Sequence, residues 1–528
     1  MKKISYVMMT LMAMLLLASC SSKQSAKLVP DNALLVMRVD LTKMQEKTGL
    51  KSGEDSDLKD WMKELIEDMR FDDAINDKLL AIIDDPSKTG VDLTEPLYLY
   101  AAGDFEDNTD AGLVGTIASE ANFTDMLETL GDEAGLSIEE EDGVKYVEAG
   151  GEGALIFTGD WFYIGTVDSK IKKTIKTLKE RADGKGTLEG NKAFDEMNGK
   201  DGLMQLLVIG SGLKEMSEMA ELEKVLPDGM KLKDIAGLID LELKGNEAVI
   251  TSSMLALSDK AQKYIDDGDK VVNAIDASQA KYISDRALSA FVNIDVKGYL
   301  DLLKDNVEKI AKNLGDSEFG DEISMEQGIL DKISEFAKEL DGTASVDFYG
   351  IDDEGEPLFN IYVGTKSNEM LNKLMAEMAE DADSTVADVA DGDGPFMIPI
   401  TKTDWQWSEQ NEDYDFVEKV VGYRYAGFKN GQTYFCSDED DVLKTPSKKL
   451  SADAIKGKGF YIRFNFGCFK DYLDQMSGSE REVAKVVVDN FDFMELYYEG
   501  KGTGVFRLTT KGDKDPLGTL IDIIVEQF

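Results

Sequence analysis

The chemistry open to this chain is limited first by a missing residue type, because none of its 528 residues is a histidine. Nucleophiles activated by histidine and histidine-ligated metals are therefore excluded. A serine–lysine pair needs no histidine, and the spacing Ser-x-x-Lys occurs at Ser56–Lys59, Ser169–Lys172 and Ser278–Lys281. Penicillin-recognising enzymes that use this pair also carry Ser-Asp-Asn, and that triplet is absent here. We therefore interpret Ser169 as a helix cap and predict no catalytic residue.

Carboxylates are the most abundant candidate groups, with 104 Asp and Glu against 58 Lys and Arg and a formal net charge of −46. A pair of carboxylates could hydrolyse a glycosidic bond without histidine, but nothing in the sequence selects one pair among so many. Two acidic stretches offer hard oxygen ligands for calcium, and their members are Asp104, Glu106, Asp107 and Asp110, and Asp388, Asp391 and Asp393. Neither stretch completes a calcium-binding loop with its invariant glycine and final glutamate. We expect polar loop tips there and predict neither a metal site nor a cofactor.

Two tryptophans are the candidate ligand-binding residues. Trp405 and Trp407 are two residues apart, so on a strand they share one face. Exposed, they could stack on a sugar or a peptide; buried, they pack in a core. The glycines Gly500, Gly502 and Gly504 link two predicted strands and open no helix, so they do not form a phosphate-binding loop. The net charge of −46 repels phosphate backbones, and we predict no nucleic-acid partner.

The first twenty residues have the three-part build of a secretory signal. A short basic start precedes an apolar run over residues 4–17, which ends in Leu17-Ala18-Ser19-Cys20. That ending resembles the lipobox of bacterial lipoproteins, which implies cleavage after residue 19 and an acylated Cys20. We therefore predict a signal peptide over residues 1–19 and a lipidated tether over residues 20–30. Acyl chains on Cys20 make a membrane the predicted partner.

The residues after the lipobox bear on where the protein is anchored. Ser21 is not the aspartate that commonly retains lipoproteins in the inner membrane of enteric bacteria, so we predict the outer membrane. Residues 22–25 lack the acidic run that sends some lipoproteins to the cell surface, which favours the periplasmic face and leaves the surface open. Cys436 and Cys468 could then form a disulfide or lie buried as small apolar side chains. The repeat described next aligns Cys436 with Ile164 and favours burial.

Three kinds of unit recur along the chain. The first is an apolar strand that runs into a helix, with Asp40, Asp295 and Asn465 placed to cap the helix. The second is a strand, a turn, a strand and a helix, and one copy has its turn at Gly245-Asn246. The third is a hairpin followed by a helix, with Asn430-Gly431 as one of its turns. These units occur twice in the same order.

The repeated order predicts a tandem duplication, with a first half over residues 31–275 and a second half over residues 282–528. The fold class that follows is α+β. Its antiparallel sheets are each expected to have one face covered by amphipathic helices. On one such helix, the predicted buried face consists of Trp61, Leu65, Ile66 and Met69.

Two segments and the lipobox together resemble a known family. Val29-Pro30-Asp31-Asn32-Ala33 precedes one predicted strand, and Asp85-Pro86-Ser87-Lys88-Thr89-Gly90-Val91-Asp92-Leu93 precedes another. They resemble an uncharacterised lipoprotein family of Bacteroidota that is classed as a domain of unknown function. The resemblance implies no activity and no site residues. Our hypothesis is a lipid-anchored envelope protein that binds a protein or saccharide partner without catalysis, and the alternative is a carboxylate-based glycan hydrolase.

Overall fold

A computed structural model describes most of the chain. It covers residues 24–69, 71–103, 109–149, 153–167, 170–213, 229–314, 337–352, 355–380, 392–408, 413–474, 476–513 and 515–527, together with Glu223, Leu226 and Ser334. The chain divides into two compact units. The first unit comprises the residues up to Lys263 and those from Arg507 onward, and the second comprises Tyr264–Phe506. Helices and antiparallel strands are mixed in both, which confirms the predicted α+β class.

The first unit is built on one antiparallel sheet. Its strands are β1 (Ala33–Val39), β2 (Leu97–Gly103), β3 (Thr109–Thr116), β4 (Glu139–Glu141), β5 (Val144–Ala149), β6 (Gly153–Phe157), β7 (Trp161–Thr166), β8 (Met204–Ile209), β9 (Ile235–Lys244) and β10 (Glu247–Ala256). They pair in the spatial order β4-β5-β6-β7-β3-β2-β1-β8-β9-β10.

Helices connect these strands. They are α1 (Gln24–Lys27), α2 (Leu41–Thr48), α3 (Asp57–Met69), α4 (Asp73–Asp84), α5 (Glu120–Ala134), α6 (Ile171–Ala182), α7 (Lys192–Asn198) and α8 (Gly210–Leu213), with 3-10 helices at Pro86–Thr89 and Leu232–Asp234.

Both faces of this sheet are covered, whereas the sequence predicted one covered face. Along β2, Leu97 and Leu99 belong to one apolar cluster, and Tyr98 and Tyr100 belong to another. Helices α2 to α5 pack in the first cluster, and α6 and α7 pack in the second. The physical reason is that the Leu-Tyr-Leu-Tyr run is apolar at every position, and such continuous runs are typical of strands buried on both sides.

The predicted buried face of α3 is wrong in part. Ile66 is buried, but Leu65 and Met69 are 41% and 39% exposed. Lys59 is buried instead, because its ammonium donates hydrogen bonds to the carbonyl oxygens of Lys51 and Glu54, both at 2.7 Å. A lysine that meets several carbonyl acceptors can therefore take a position that hydropathy alone assigns to an apolar residue.

Eight further strands lie in the second unit, and a ninth crosses its boundary. They are β11 (Leu288–Asn293), β12 (Leu340–Ile351), β13 (Pro357–Thr365), β14 (Phe396–Ser408), β15 (Asp413–Lys429), β16 (Gln432–Cys436), β17 (Phe460–Asn465) and β18 (Phe491–Gly500), and β19 (Thr503–Thr510) follows. The first eight pair in the order β14-β15-β16-β13-β12-β11-β17-β18. The helices are α9 (Asp259–Lys270), within which the unit begins, α10 (Val296–Leu314), α11 (Glu369–Glu380), α12 (Ala452–Ile455) and α13 (Gly478–Asn490), with 3-10 helices at Ala277–Tyr282, Glu439–Asp441 and Phe466–Tyr472.

The predicted caps and turns are confirmed. The side-chain oxygens of Asp40, Asp295 and Asn465 accept hydrogen bonds from backbone N–H groups at 3.1, 3.0 and 2.9 Å, respectively. Gly245-Asn246 joins β9 to β10, and Asn430-Gly431 joins β15 to β16. Gly245 and Asn430 adopt φ values of 57° and 54°, the left-handed region that these residue types tolerate best.

The last helix, α14 (Pro516–Gln527), belongs to the first unit. It packs against α2 and α3, and Asp515 before it forms an ion pair with Lys47 at 3.1 Å. In the part of the chain that the structure describes, no helix is both long enough and apolar enough to cross a membrane.

Candidate functional site

A solvent-open pocket of about 380 Å³ lies in the second unit. Strands β12 and β13, the segment that precedes β11, and the loop between β16 and α12 form it. The residues that line it are Tyr282, Ser284, Arg286, Asp347, Tyr349, Asn360, Lys444, Thr445, Pro446 and Ser447. This set combines buried polar groups, tyrosine rings and exposed cations.

The floor of the pocket holds a buried carboxylate. Asp347 is 2% exposed. Its Oδ2 accepts a hydrogen bond from the backbone N–H of Ser284 at 3.0 Å, and its Oδ1 accepts one from the Ser284 hydroxyl at 2.7 Å. The hydroxyl of Ser289 in turn donates to the Ser284 carbonyl at 2.8 Å. Charge-assisted hydrogen bonds of this kind fix both oxygens of the carboxylate in place.

Beside Asp347 lies a buried amide with an unfilled acceptor. Asn360 is the direct cross-strand partner of Asp347 in the β12–β13 register, and it is 5% exposed. Its side-chain oxygen has no hydrogen-bond partner among the described residues. Burial of an unpaired polar atom costs about 1–3 kcal/mol, so native proteins rarely retain one without a reason. The Asn360 oxygen is thus an unfilled acceptor at the floor of the pocket.

The loop on the rim is held at both ends. Leu443 has a φ of 53°, an uncommon conformation for a residue other than glycine. Its N–H donates to the hydroxyl of Tyr362 at 3.1 Å, and burial raises the pKa of Tyr362 above its ordinary value, so this phenol is neutral. After the rim residues, the Lys448 carbonyl accepts from Asp285 N–H at 3.0 Å. The segment 444–447 is thereby positioned across the mouth of the pocket.

The rim carries two exposed cations, Arg286 and Lys444. Asp285, next to Arg286 in sequence, is engaged elsewhere: its carboxylate pairs with Arg463 at 2.8 Å and with Lys448 at 3.7 Å. No ion-pair partner of Arg286 is present among the described residues. The Arg286 guanidinium is therefore available to a ligand.

The acidic side chains of the second unit bear on the hydrolase alternative. Asp347 is the one carboxylate among the described lining residues, whereas glycosidases use two. A larger cleft of about 960 Å³ in the same unit is lined by Asp295, Asp301 and Asp341. Each of these is held locally: Asp295 caps α10, Asp301 pairs with Lys297, and Asp341 accepts hydrogen bonds from Thr343.

The side chains predicted from the sequence lie outside the described residues. Trp405 and Trp407 lie on β14, where they pair with Phe416 and Tyr414, and their side chains are outside the described residues. Cys20 also lies outside them.

The serine–lysine pairs have structural explanations where they are described. The Ser56 hydroxyl accepts a hydrogen bond from Lys59 N–H at 3.2 Å at the start of α3. Ser278 lies in a 3-10 helix that Asp276 caps at 2.7 Å, and the Lys281 ammonium lies 5.0 Å from the centre of the Tyr282 ring. Ser169 is outside the described residues.

The structure describes only some of the residues on which the metal and disulfide predictions depend. Of the two acidic stretches, Asp110 and Asp393 are described and the other members are not. Among the described residues, no group of histidine, cysteine or acidic side chains is placed to hold a metal ion. Cys436 is buried, as the repeat predicted, and neither Cys436 nor Cys468 is in a disulfide.

Sequence reasoning missed Asp347 and Asn360. The available signal was a single carboxylate in Val346-Asp347-Phe348 and a single amide in Phe359-Asn360-Ile361, each inside an apolar strand. A polar residue at a core position needs a partner, and pairing these two strands in register would have placed both side chains together.

Comparisons with known proteins identify a family and no function. The family model described as Domain of unknown function (DUF4836) matches residues 26–475. No curated protein matches the chain. A solved structure described as "Structure of crystal form I of TP0453" is similar with a TM-score of 0.26 and 13% identity, over 48% of this chain and 87% of that chain. Similarity at that level carries no functional argument. Because the family model spans most of the sequence, the chain belongs to the DUF4836 family of domains of unknown function.

Proposed function

We propose that this protein is a non-enzymatic binding module of the cell envelope, and that its second unit binds a saccharide in the pocket floored by Asp347 and Asn360. The observation that carries the proposal is the buried Asn360 side-chain oxygen without a hydrogen-bond partner in the described residues. Asn360 lines a pocket that is open to solvent. A ligand that donates a hydrogen bond there removes the cost of the unpaired acceptor.

Saccharides match the other lining groups. Their hydroxyls both donate and accept hydrogen bonds, so they can satisfy Asn360 and also bond to the hydroxyls of Thr445 and Ser447 on the rim. Tyr282 and Tyr349 supply rings on which the apolar face of a sugar can pack. The volume of about 380 Å³ lies at the small end of ligand pockets, which favours one or two sugar rings. Trp405 and Trp407 stay candidates for a further contact with the ligand.

We further propose a tandem duplication, which the strand orders support. Eight strands of the first unit have the order β5-β6-β7-β3-β2-β1-β8-β9. The second unit has β14-β15-β16-β13-β12-β11-β17-β18, which is the same order with each strand replaced by its counterpart later in the chain. We infer that residues 31–275 and 282–528 descend from one ancestral half. The pocket residues belong to the second half.

The anchoring proposal rests on the sequence. The lipobox Leu17-Ala18-Ser19-Cys20 supports acylation of Cys20, and Ser21 supports sorting to the outer membrane with the protein facing the periplasm. An acylated anchor would hold the pocket near the membrane, where envelope saccharides and envelope proteins are the accessible partners.

Ligand-observed NMR tests the binding proposal. The full chain is mixed with a panel of mono- and disaccharides, and saturation transfer is compared between the wild type and Asn360→Leu. We expect transfer to at least one saccharide with the wild type and its loss with the variant. No transfer to any panel member, or transfer unchanged by Asn360→Leu, would refute the proposal. Release of reducing sugar from an oligosaccharide would instead support the hydrolase alternative.

A further inference from the structure

We propose that the ligand of this pocket is an acidic saccharide, one whose carboxylate binds Arg286 while its hydroxyls bind the floor. This inference rests on the proposed function and adds the class of sugar. It starts from the charges of the described lining residues, which comprise two cations, Arg286 and Lys444, and one carboxylate, Asp347. The pocket thus has a net positive lining on a chain whose formal charge is −46.

The carboxylate at the floor already has hydrogen-bond donors from the protein. Asp347 is buried, and both of its oxygens accept hydrogen bonds from Ser284. The carboxylate of Asp285 is held by the Nε of Arg463 at 2.8 Å, and the same guanidinium binds Glu495 through NH1 at 3.1 Å. Arg286 is left with its fork of N–H donors facing solvent at the pocket. A guanidinium fork matches the two oxygens of a carboxylate in bidentate geometry.

The number of charges favours a monoanion. A phosphate ester carries up to two negative charges near neutral pH, whereas the lining supplies a net single positive charge. On a chain this acidic, a second uncompensated negative charge on the ligand meets repulsion from the rest of the protein. A sugar carboxylate is fully ionised at neutral pH and carries one charge. The unfilled acceptor on Asn360 at the floor needs a hydrogen-bond donor. A simple carboxylate ligand has no such donor, whereas the hydroxyls of a sugar acid do.

Matched glycosides provide the test. Methyl β-D-glucuronide and methyl β-D-galacturonide are titrated into the full chain by calorimetry at low salt, alongside methyl β-D-glucoside and methyl β-D-galactoside, which replace the carboxylate with a hydroxymethyl group. We expect one acid to bind about tenfold more tightly than its neutral partner. Arg286→Ala should abolish that preference, and Arg286→Lys should retain part of it.

The control variant is Arg481→Ala, because Arg481 is an exposed arginine that does not line the pocket and pairs with Asp474 at 3.0 Å. It should leave the preference unchanged. Equal affinity for acid and neutral partners, or a preference that survives Arg286→Ala, would overturn the acidic-sugar inference while leaving saccharide binding intact. If none of the four glycosides binds, the acidic-sugar inference is wrong, and the saccharide panel decides the proposed function separately.

Discussion

The unpaired acceptor on Asn360 makes an unusual prediction about stability. Asn360→Leu keeps a branched side chain of similar size but removes the buried oxygen that has no partner in the described residues. The backbone of β13 is unaffected, because it pairs with Asp347 on one side and Cys436 on the other. If the orphan oxygen costs about 1–3 kcal/mol, and part of this is regained by an apolar side chain, the free energy of unfolding should rise by about 1 kcal/mol.

A buried asparagine in the same unit serves as the control. Asn465 is 7% exposed, and its oxygen accepts a hydrogen bond from Gly467 N–H at 2.9 Å. Asn465→Leu removes a satisfied bond and a helix cap, so it should lower the free energy of unfolding by about 1–2 kcal/mol. The two variants thus carry the same chemical change with opposite predicted signs.

Urea unfolding of the full chain measures both. At an m-value of about 2–3 kcal/mol/M, the Asn360→Leu midpoint should rise by about 0.3–0.5 M at constant m, and the Asn465→Leu midpoint should fall. If Asn360→Leu destabilises the protein as much as Asn465→Leu, its oxygen is satisfied in the native state. The reasoning that assigns it to a ligand is then refuted.

Three further predictions follow from other features. Ser284→Ala removes the 2.7 Å hydroxyl donor from buried Asp347 and should lower the free energy of unfolding by about 2 kcal/mol, whereas Ser447→Ala on the exposed rim should leave thermal unfolding unchanged. Burial, with a contribution from Glu95, raises the pKa of Asp92 to about 6, above the value of about 3.9 in an unfolded chain. Folding therefore disfavours the ionised form of Asp92, so the free energy of unfolding of the wild type should fall as pH rises from 4 through 6. Asp92→Asn should raise the free energy of unfolding most above pH 7 and least below pH 4. A stabilisation by Asp92→Asn that does not depend on pH would contradict the raised pKa of Asp92. Cys20→Ser should move the protein from the membrane to the soluble fraction, and retention in membranes would exclude acylation as the anchor.

The features that the sequence predicted well are local. The caps at Asp40, Asp295 and Asn465 and the turns at Gly245-Asn246 and Asn430-Gly431 depend on a few neighbouring residues. Side-chain oxygens before a helix and left-handed backbone in a tight turn each require a small set of residue types. Such signals can be read without knowing what the rest of the chain contacts.

The features that it missed depend on distant residues. Strand β2 is buried on both faces because helices from different parts of the chain cover the two faces of its sheet. Lys59 is buried because carbonyls from a preceding loop meet its ammonium. The pocket joins Ser284, Asp347, Asn360 and the loop 444–447, and only the pairing of β12 with β13 places the two floor residues side by side. No local pattern encodes that register.

A crystal structure of the full chain with its best-binding saccharide would locate the ligand. We predict the sugar in the pocket of the second unit, with a hydroxyl about 2.7–3.2 Å from the side-chain oxygen of Asn360. A sugar bound elsewhere, or an Asn360 oxygen that accepts a hydrogen bond from the protein itself, would contradict it.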